Sequence, residues 1–187
     1  MLVIDMNDDC NDPLIDEGYD TTQVSMMGEQ VILVDTDDQV IGPMSKMDAH
    51  RGEGVLHRAF SILLFDDDDQ LLMQKRADHK ITFPGVWANT VCSHPLHVDD
   101  EMDHGVLGDG AKMAAIRKMD QELGLAPNQI SIDDIHFITR MMYRARADDV
   151  WVEHQLDHNL FARAPNRVQL SSNLTEIYTL PSVTQNL

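Results

Sequence analysis

The chain carries nine histidines, and three of them stand where other reactive side chains gather. His50 and His57 flank Arg51 to Leu56, just ahead of an apolar run, and His94 lies in Cys92-Ser93-His94-Pro95. Imidazoles are ligands for transition metals, and Glu153 would add a carboxylate. On spacing alone these intervals match no specific metal signature, and scattered histidines are ordinarily solvated or hydrogen-bonded. A rival zinc set, Cys92, His94, His97 and His104, also fits no finger pattern. Cys92 by itself reads as a small buried hydrophobe more readily than as a nucleophile. Glu153-His154-Gln155 on a strand reads as a solvated sheet face. Lys46, Arg76, Lys80 and Lys118, four of only fourteen bases, read as surface charge.

Such residues act together only if the surrounding elements bring them together. Val31 to Asp35 predicts a short buried strand, Asp37-Asp38 a turn and Gln39 to Gly42 a second strand. Phe60 to Phe65 is apolar on both faces, as a central strand is. Asp66 to Asp69 turns the chain, and Gln70 to Arg76 returns as the second arm of a hairpin. Pro84-Gly85 precedes a short extended piece, Val86 to Val91. Gly108 to Leu125 predicts a helix with Ala115, Ile116, Met119 and Leu123 on one face and Gly124 as its cap. Lys118 and Glu122 form an i, i+4 pair on the side away from Ile116 and Met119. Ile135 to Arg146 and Val150 to Phe161 predict two long strands. In the second, Glu153, Gln155 and Asp157 share a face because strand side chains alternate. Glu176 to Leu180 is a candidate last strand.

Residues 1–28 are acidic, with no periodic apolar face, and are expected to be disordered; 29–163 form the folded domain and 164–187 a divergent tail. Over the whole chain, 14 Lys and Arg against 32 Asp and Glu leave a net charge of −18. That field disfavours nucleic acid and anionic lipid as partners. A small anionic substrate would need a local basic cluster or metal ions. Two cysteines are too few for a disulfide framework and suit a reducing compartment. No apolar run approaches the roughly 20 residues that span a bilayer, and the acidic N-terminus is unlike a targeting peptide.

Several of these segments, in order, resemble type I isopentenyl-diphosphate isomerases. The resemblance runs through Lys46-x3-His50, His57-Arg58-Ala59-Phe60-Ser61 and Gln74-Lys75-Arg76-Ala77. It continues through Thr82 to Leu96, then Gln121-Glu122-Leu123-Gly124, Tyr143-Arg144-Ala145 and Trp151 to Asp157. It covers roughly residues 30–163 and is specific because separated motifs match in sequence and spacing. It implies an α/β (α+β) Nudix-type fold, a mixed β-sheet sandwiched between helices. The Nudix hydrolase helix reads R-E-U-x-E-E-x-G-U, with U aliphatic. Here the stretch is Arg117-Lys118-Met119-Asp120-Gln121-Glu122-Leu123-Gly124-Leu125. Two of the three metal-holding acids are replaced, which argues against diphosphate hydrolysis.

The resemblance implies interconversion of isopentenyl and dimethylallyl diphosphate through a tertiary-carbocation-like intermediate. That chemistry needs two proton-transfer groups in a dry pocket. By motif, Cys92 is one group and position 155 the other, with Tyr143 as a relay. His50, His57, His94 and Glu153 hold a divalent metal (Mn2+, Mg2+ or Zn2+) with the residue at 155, and Glu122 holds a Mg2+. Lys46, Arg76, Lys80 and Lys118 clamp the diphosphate. Two departures stand out. Gln155 occupies a position where the family has Glu, and a neutral amide cannot exchange the proton. Ala164 to Leu187 does not resemble the family's closing region, which carries a Trp facing the cation. The expectation is therefore an isomerase of impaired activity. The alternatives are a non-catalytic prenyl-diphosphate or metal-binding relative and a Nudix-type hydrolase. A cytoplasmic location is expected, with the peroxisome as the alternative, although Gln185-Asn186-Leu187 is not the usual peroxisomal tripeptide.

Overall fold

A computed structural model describes residues 18–164, 177–179 and 182–183. Helix α1 (Thr21–Met27) comes first, then β1 (Gln30–Val34), β2 (Val40–Ser45) and the single turn α2 (Lys46–Ala49). β3 (His57–Phe65), β4 (Leu71–Leu72), β5 (Gln74–Arg76), β6 (Trp87–Ala88) and β7 (Val91–Ser93) follow. The long helix α3 (Asp109–Leu123), β8 (Ile135–Arg146) and β9 (Val152–Arg163) complete the main body. β10 (Ile177–Thr179) and β11 (Ser182–Val183) are short.

β3 is the spine of a mixed sheet. It runs parallel to β9 along its whole length, His57 opposite Gln155 through Phe65 opposite Arg163. It also pairs antiparallel with β1, β7 and β4 in succession. β8 pairs antiparallel with β9, β2 with β1 and β11 with β4. β5, β6 and β10 form a separate three-stranded sheet. A strand flanked on both edges and packed on both faces needs apolar residues throughout, and β3 is buried from His57 to Ile62.

The core lies between this sheet and α3. Phe60, Ile62 and Leu64 meet Ala115, Met119 and Leu123 from the helix and Leu160 from β9. Fully burying each large aliphatic or aromatic side chain is worth roughly 1.5–3 kcal/mol. Close docking of α3 depends on Gly110, where a Cβ would run into the backbone carbonyl of Glu101. Gly124 ends the helix, its N–H bonded to the Asp120 carbonyl.

The structure corrects several expectations. Part of the segment expected to be disordered, residues 1–28, is helix α1. Asp20 caps it by accepting from Thr22 and Gln23 N–H, while Val24 and Met27 are buried against Trp151 and Ile81; residues 1–17 lie outside the described residues. The hairpin arm Gln70–Arg76 breaks at Met73 into strands of two different sheets. The piece Val86–Val91 likewise divides between β6 and β7. Lys118 and Glu122 are buried, at 5 % and 3 % exposure, rather than on a solvent face, because α3 packs on two sides. β10 falls within the candidate last strand Glu176 to Leu180 and pairs with β5.

Candidate active site

The three histidines reach one point by three routes. α2 ends at His50, whose N–H bonds the Lys46 and Met47 carbonyls; the His50 carbonyl accepts from Val152 N–H at 2.8 Å, tying this corner to β9. The connection from His50 to His57 turns through Gly54, with φ of 71° and Val152 Cγ1 3.0 Å from where a Cβ would stand. A side chain there would be strained and crowded. His57 then opens β3. His94 follows β7, and its carbonyl accepts from Arg117, whose guanidinium is paired with Glu101. The Arg117 of the helix motif thus positions the His94 turn.

The ring centroids of His50, His57 and His94 lie 4.6, 4.9 and 5.0 Å apart, and one nitrogen from each falls within 4.8 Å of the others. All three rings are buried. Nδ1 of His50 donates to the Lys46 carbonyl at 2.8 Å and Nδ1 of His57 to the Val55 carbonyl at 2.7 Å. These bonds leave each Nε2 with a free lone pair. Burial is the main cause that pushes His50 down to about 3 and His57 to about 4, with the Lys46 charge adding to both. Burial, then the charges of His57, His50, Lys46 and Lys118, holds His94 well below its usual range. The rings are therefore neutral, the state in which imidazole binds a metal. Nε2 of His57 and Nδ1 of His94 are buried with no protein partner. Buried polar atoms are ordinarily satisfied, so the open Nε2 of His57, beside the neutral rings of His50 and His94, fits a divalent cation.

Beside the triad, β8 and β9 supply a polar row. Tyr143, opposite Gln155 in register, places its hydroxyl 2.6 Å from Gln155 Oε1 and 3.0 Å from Glu153 Oε2. The amide of Gln155 donates to His94 Nε2 at 3.0 Å. Burial, reinforced by the Glu153 carboxylate, keeps the Tyr143 hydroxyl protonated far above its usual range. Burial also raises Glu153. Across the sheet, Cys92 stands opposite Ser61, whose hydroxyl donates to Sγ at 3.4 Å. Burial pushes the thiol up to about 11, so it holds its proton at neutral pH.

Ten of the twelve residues singled out from the sequence line one cavity with about 620 Å3 of open space; His50 and His57 stand behind it, against His94. The four bases line it together. Arg76 is partly committed, donating to the Phe83 carbonyl at 3.0 Å and the Thr82 carbonyl at 2.6 Å, which leaves other guanidinium N–H groups for a ligand. Lys118 bonds Glu122 at 3.0 Å and Gln121 Oε1 at 3.1 Å. The rival set Cys92, His94, His97 and His104 does not assemble: His104 is exposed and bonded to the Asp99 carbonyl. Sequence reasoning missed the α1 residues Gln23, Met26 and Met27 on the cavity wall. Asp157, placed by strand alternation on the face of Glu153 and Gln155, is raised to about 6 by burial.

A second cluster, Asp38, Asp103 and His158, lies apart from the cavity. Arg58 at 2.8 Å, Arg140 at 3.2 Å and His158 at 2.8 Å surround the Asp38 carboxylate. Its charge is already met by protein, so it reads as a buried ion network.

The NUDIX domain family model matches residues 55–177. The chain is 44 % identical over 174 residues to the isopentenyl-diphosphate delta-isomerase of Gibberella zeae, covering 89 % of this chain and 68 % of that protein. It is 44 % identical over 176 residues to that of Aspergillus fumigatus, covering 86 % and 62 %. To isopentenyl-diphosphate Delta-isomerase 1 of Bos taurus it is 39 % identical over 173 residues, covering 90 % and 75 %. The chain thus spans roughly two thirds of the length of these relatives. Among solved structures, a Deinococcus radiodurans protein (DR0079) shares the fold at a TM-score of 0.53 and 19 % identity, covering 83 % of each chain.

Proposed function

Because the chain belongs to the isopentenyl-diphosphate delta-isomerase family, on the NUDIX fold, we propose that it binds isopentenyl diphosphate and shifts its double bond to give dimethylallyl diphosphate. The observation that carries this reading is the convergence of Cys92 and the Tyr143–Glu153–Gln155 row on one cavity rimmed by four bases. Lys46, Lys80, Lys118 and the free N–H groups of Arg76 bind the diphosphate oxygens through charge-assisted hydrogen bonds. The Cys92 thiol, neutral at physiological pH, exchanges a proton with one carbon of the alkene. The Tyr143 hydroxyl links Glu153 to position 155 and serves the other carbon. Burial of the row keeps water from a cationic intermediate.

His50, His57, His94 and Glu153 would hold a divalent metal, Mn2+, Mg2+ or Zn2+. It would supply positive charge that orients position 155 and favours deprotonation of its neighbours. Glu122, shared with Lys118, would hold a Mg2+, which would supply positive charge beside the diphosphate.

Gln155 sets the limit. Its amide is bonded to Tyr143 and to His94 and neither gains nor loses a proton, so Glu153 is the carboxyl that remains beside Tyr143. This supports a second reading, a relative that binds the diphosphate without turnover. The experiment is incubation of the full chain with isopentenyl diphosphate, Mg2+ and Mn2+, followed by proton NMR and phosphate release. Dimethylallyl diphosphate supports the isomerase. Calorimetric binding without product supports the second reading. Release of phosphate overturns both in favour of a hydrolase.

A further inference from the structure

Bases and acids account for the polar half of the cavity, but an alkenyl diphosphate has a second half that must leave water against apolar atoms. Among the described residues, the aliphatic side chains lining the cavity are Met26, Met27 and Ile81. Met27, 4 % exposed, and Ile81, 5 % exposed, already pack into a cluster with Val24 and Trp151. Their surface is occupied by that cluster. Met26 is only half-buried and keeps apolar surface for a ligand. Its Sδ lies 4.0 Å from Nε2 of Gln121, the same side chain whose Oε1 accepts from Lys118. The hydrocarbon wall and the cationic rim are therefore joined through one residue of α3.

The placement of Met26 is secured from behind. Asp20 caps α1, Val24 and Met27 pack into the cluster with Ile81 and Trp151, and Trp151 Nε1 donates to the Tyr19 hydroxyl at 3.4 Å. A helix held in this way presents its free side chain at a fixed depth. A thioether suits the task, being unbranched, polarisable and able to adapt to an irregular apolar group.

Resting on the isomerase reading, we infer that Met26 covers the alkenyl group of the bound substrate and is the residue by which the cavity distinguishes an alkenyl diphosphate from a bare diphosphate.

The test is calorimetry on the metal-replete full chain with isopentenyl diphosphate and with inorganic pyrophosphate, for the wild type, Met26→Ala and Met26→Leu. Met26→Ala should weaken isopentenyl diphosphate on the order of tenfold, the effect of uncovering a few apolar carbons. Pyrophosphate should be unchanged, and Met26→Leu should restore the difference. Equal weakening of both ligands would mean that the helix merely shapes the polar site, and would overturn the inference. So would unchanged affinity for both, or a wild type that binds the two ligands equally. A wild type that binds neither removes the isomerase reading and this inference with it.

Discussion

Replacing Gln155 by Glu is the sharpest perturbation of this site. The side chain keeps its length, and Oε1 still accepts from Tyr143, now 2.6 Å away. What changes is the atom 3.0 Å from His94 Nε2: an N–H donor becomes an oxygen that carries a proton or a charge. The new carboxyl would share the Tyr143 hydroxyl with Glu153, which accepts from it at 3.0 Å. Two carboxyls on one hydroxyl in a partly desolvated row do not ionise independently, so one is driven above its usual range and the other below. That split yields an acid and a base within one hydrogen-bond row. A positioned general acid–base group contributes about 10²–10⁴-fold, so Gln155→Glu should raise the rate of dimethylallyl diphosphate formation by that order. The assay is a time course by proton NMR at saturating substrate and divalent metal, with calorimetry to show that substrate affinity changes far less than the rate. A wild type as fast as Gln155→Glu would refute the reasoning, since the amide would then not limit proton transfer.

Two further outcomes test the scaffold. Asp38→Asn leaves the buried Arg58 guanidinium without its carboxylate partner at 2.8 Å, and urea unfolding at pH 7 should show a loss of about 3–5 kcal/mol. In the wild type, burial alone would raise Asp38, but His158 and Arg58 together hold it below the ordinary carboxylate range. Its contribution is therefore fully present above the unfolded value of about 3.9 and is lost as pH falls through the lower folded value; Asp38→Asn should lack that part of the acid limb. Gly110→Ala would force α3 off the Glu101 carbonyl and should cost at least about 1–3 kcal/mol in the same assay. Unchanged stability would mean that the helix has room to shift.

The elements that were legible in the sequence are those whose pattern depends on their own residues. Phe60 to Phe65 is apolar on both faces and sits at the centre of the sheet, and Ile135–Arg146 forms β8 over that whole span. Helix α1 is not legible in the sequence because its apolar anchors, Val24 and Met27, make less than one helical repeat within an acidic stretch. The burial of Lys118 and Glu122 was hidden too, since periodicity tells which residues share a face but not whether a second layer covers it. Long-range register is the least legible feature. His57 stands opposite Gln155, 155 − 57 = 98 positions away, only because β3 and β9 run parallel. No spacing rule joins His50, His57 and His94. The ordered family motifs grouped them, and the geometry shows them within reach of a single ion.

The helix motif explains how so acidic a chain can hold an anion. In the hydrolase pattern, the positions filled here by residues 118, 121 and 122 carry three acids, a charge of −3. In this chain Lys118, Gln121 and Glu122 sum to +1 + 0 − 1 = 0. Lys118 is bonded to both of the others, so the change is built into one buried group rather than spread over the surface. Around the cavity, Lys46, Arg76, Lys80 and Lys118 against Glu122 and Glu153 give +4 − 2 = +2, in a molecule whose net charge is −18. At a Debye length of about 8 Å, distant surface acids are largely screened, whereas contacts inside a partly desolvated cavity are not. On the proposed isomerase reading, this local excess would govern diphosphate binding. The same positions lack the carboxylate cluster that would gather metals to activate water, so on the proposed reading one set of residues on α3 would both favour the diphosphate and disfavour its hydrolysis.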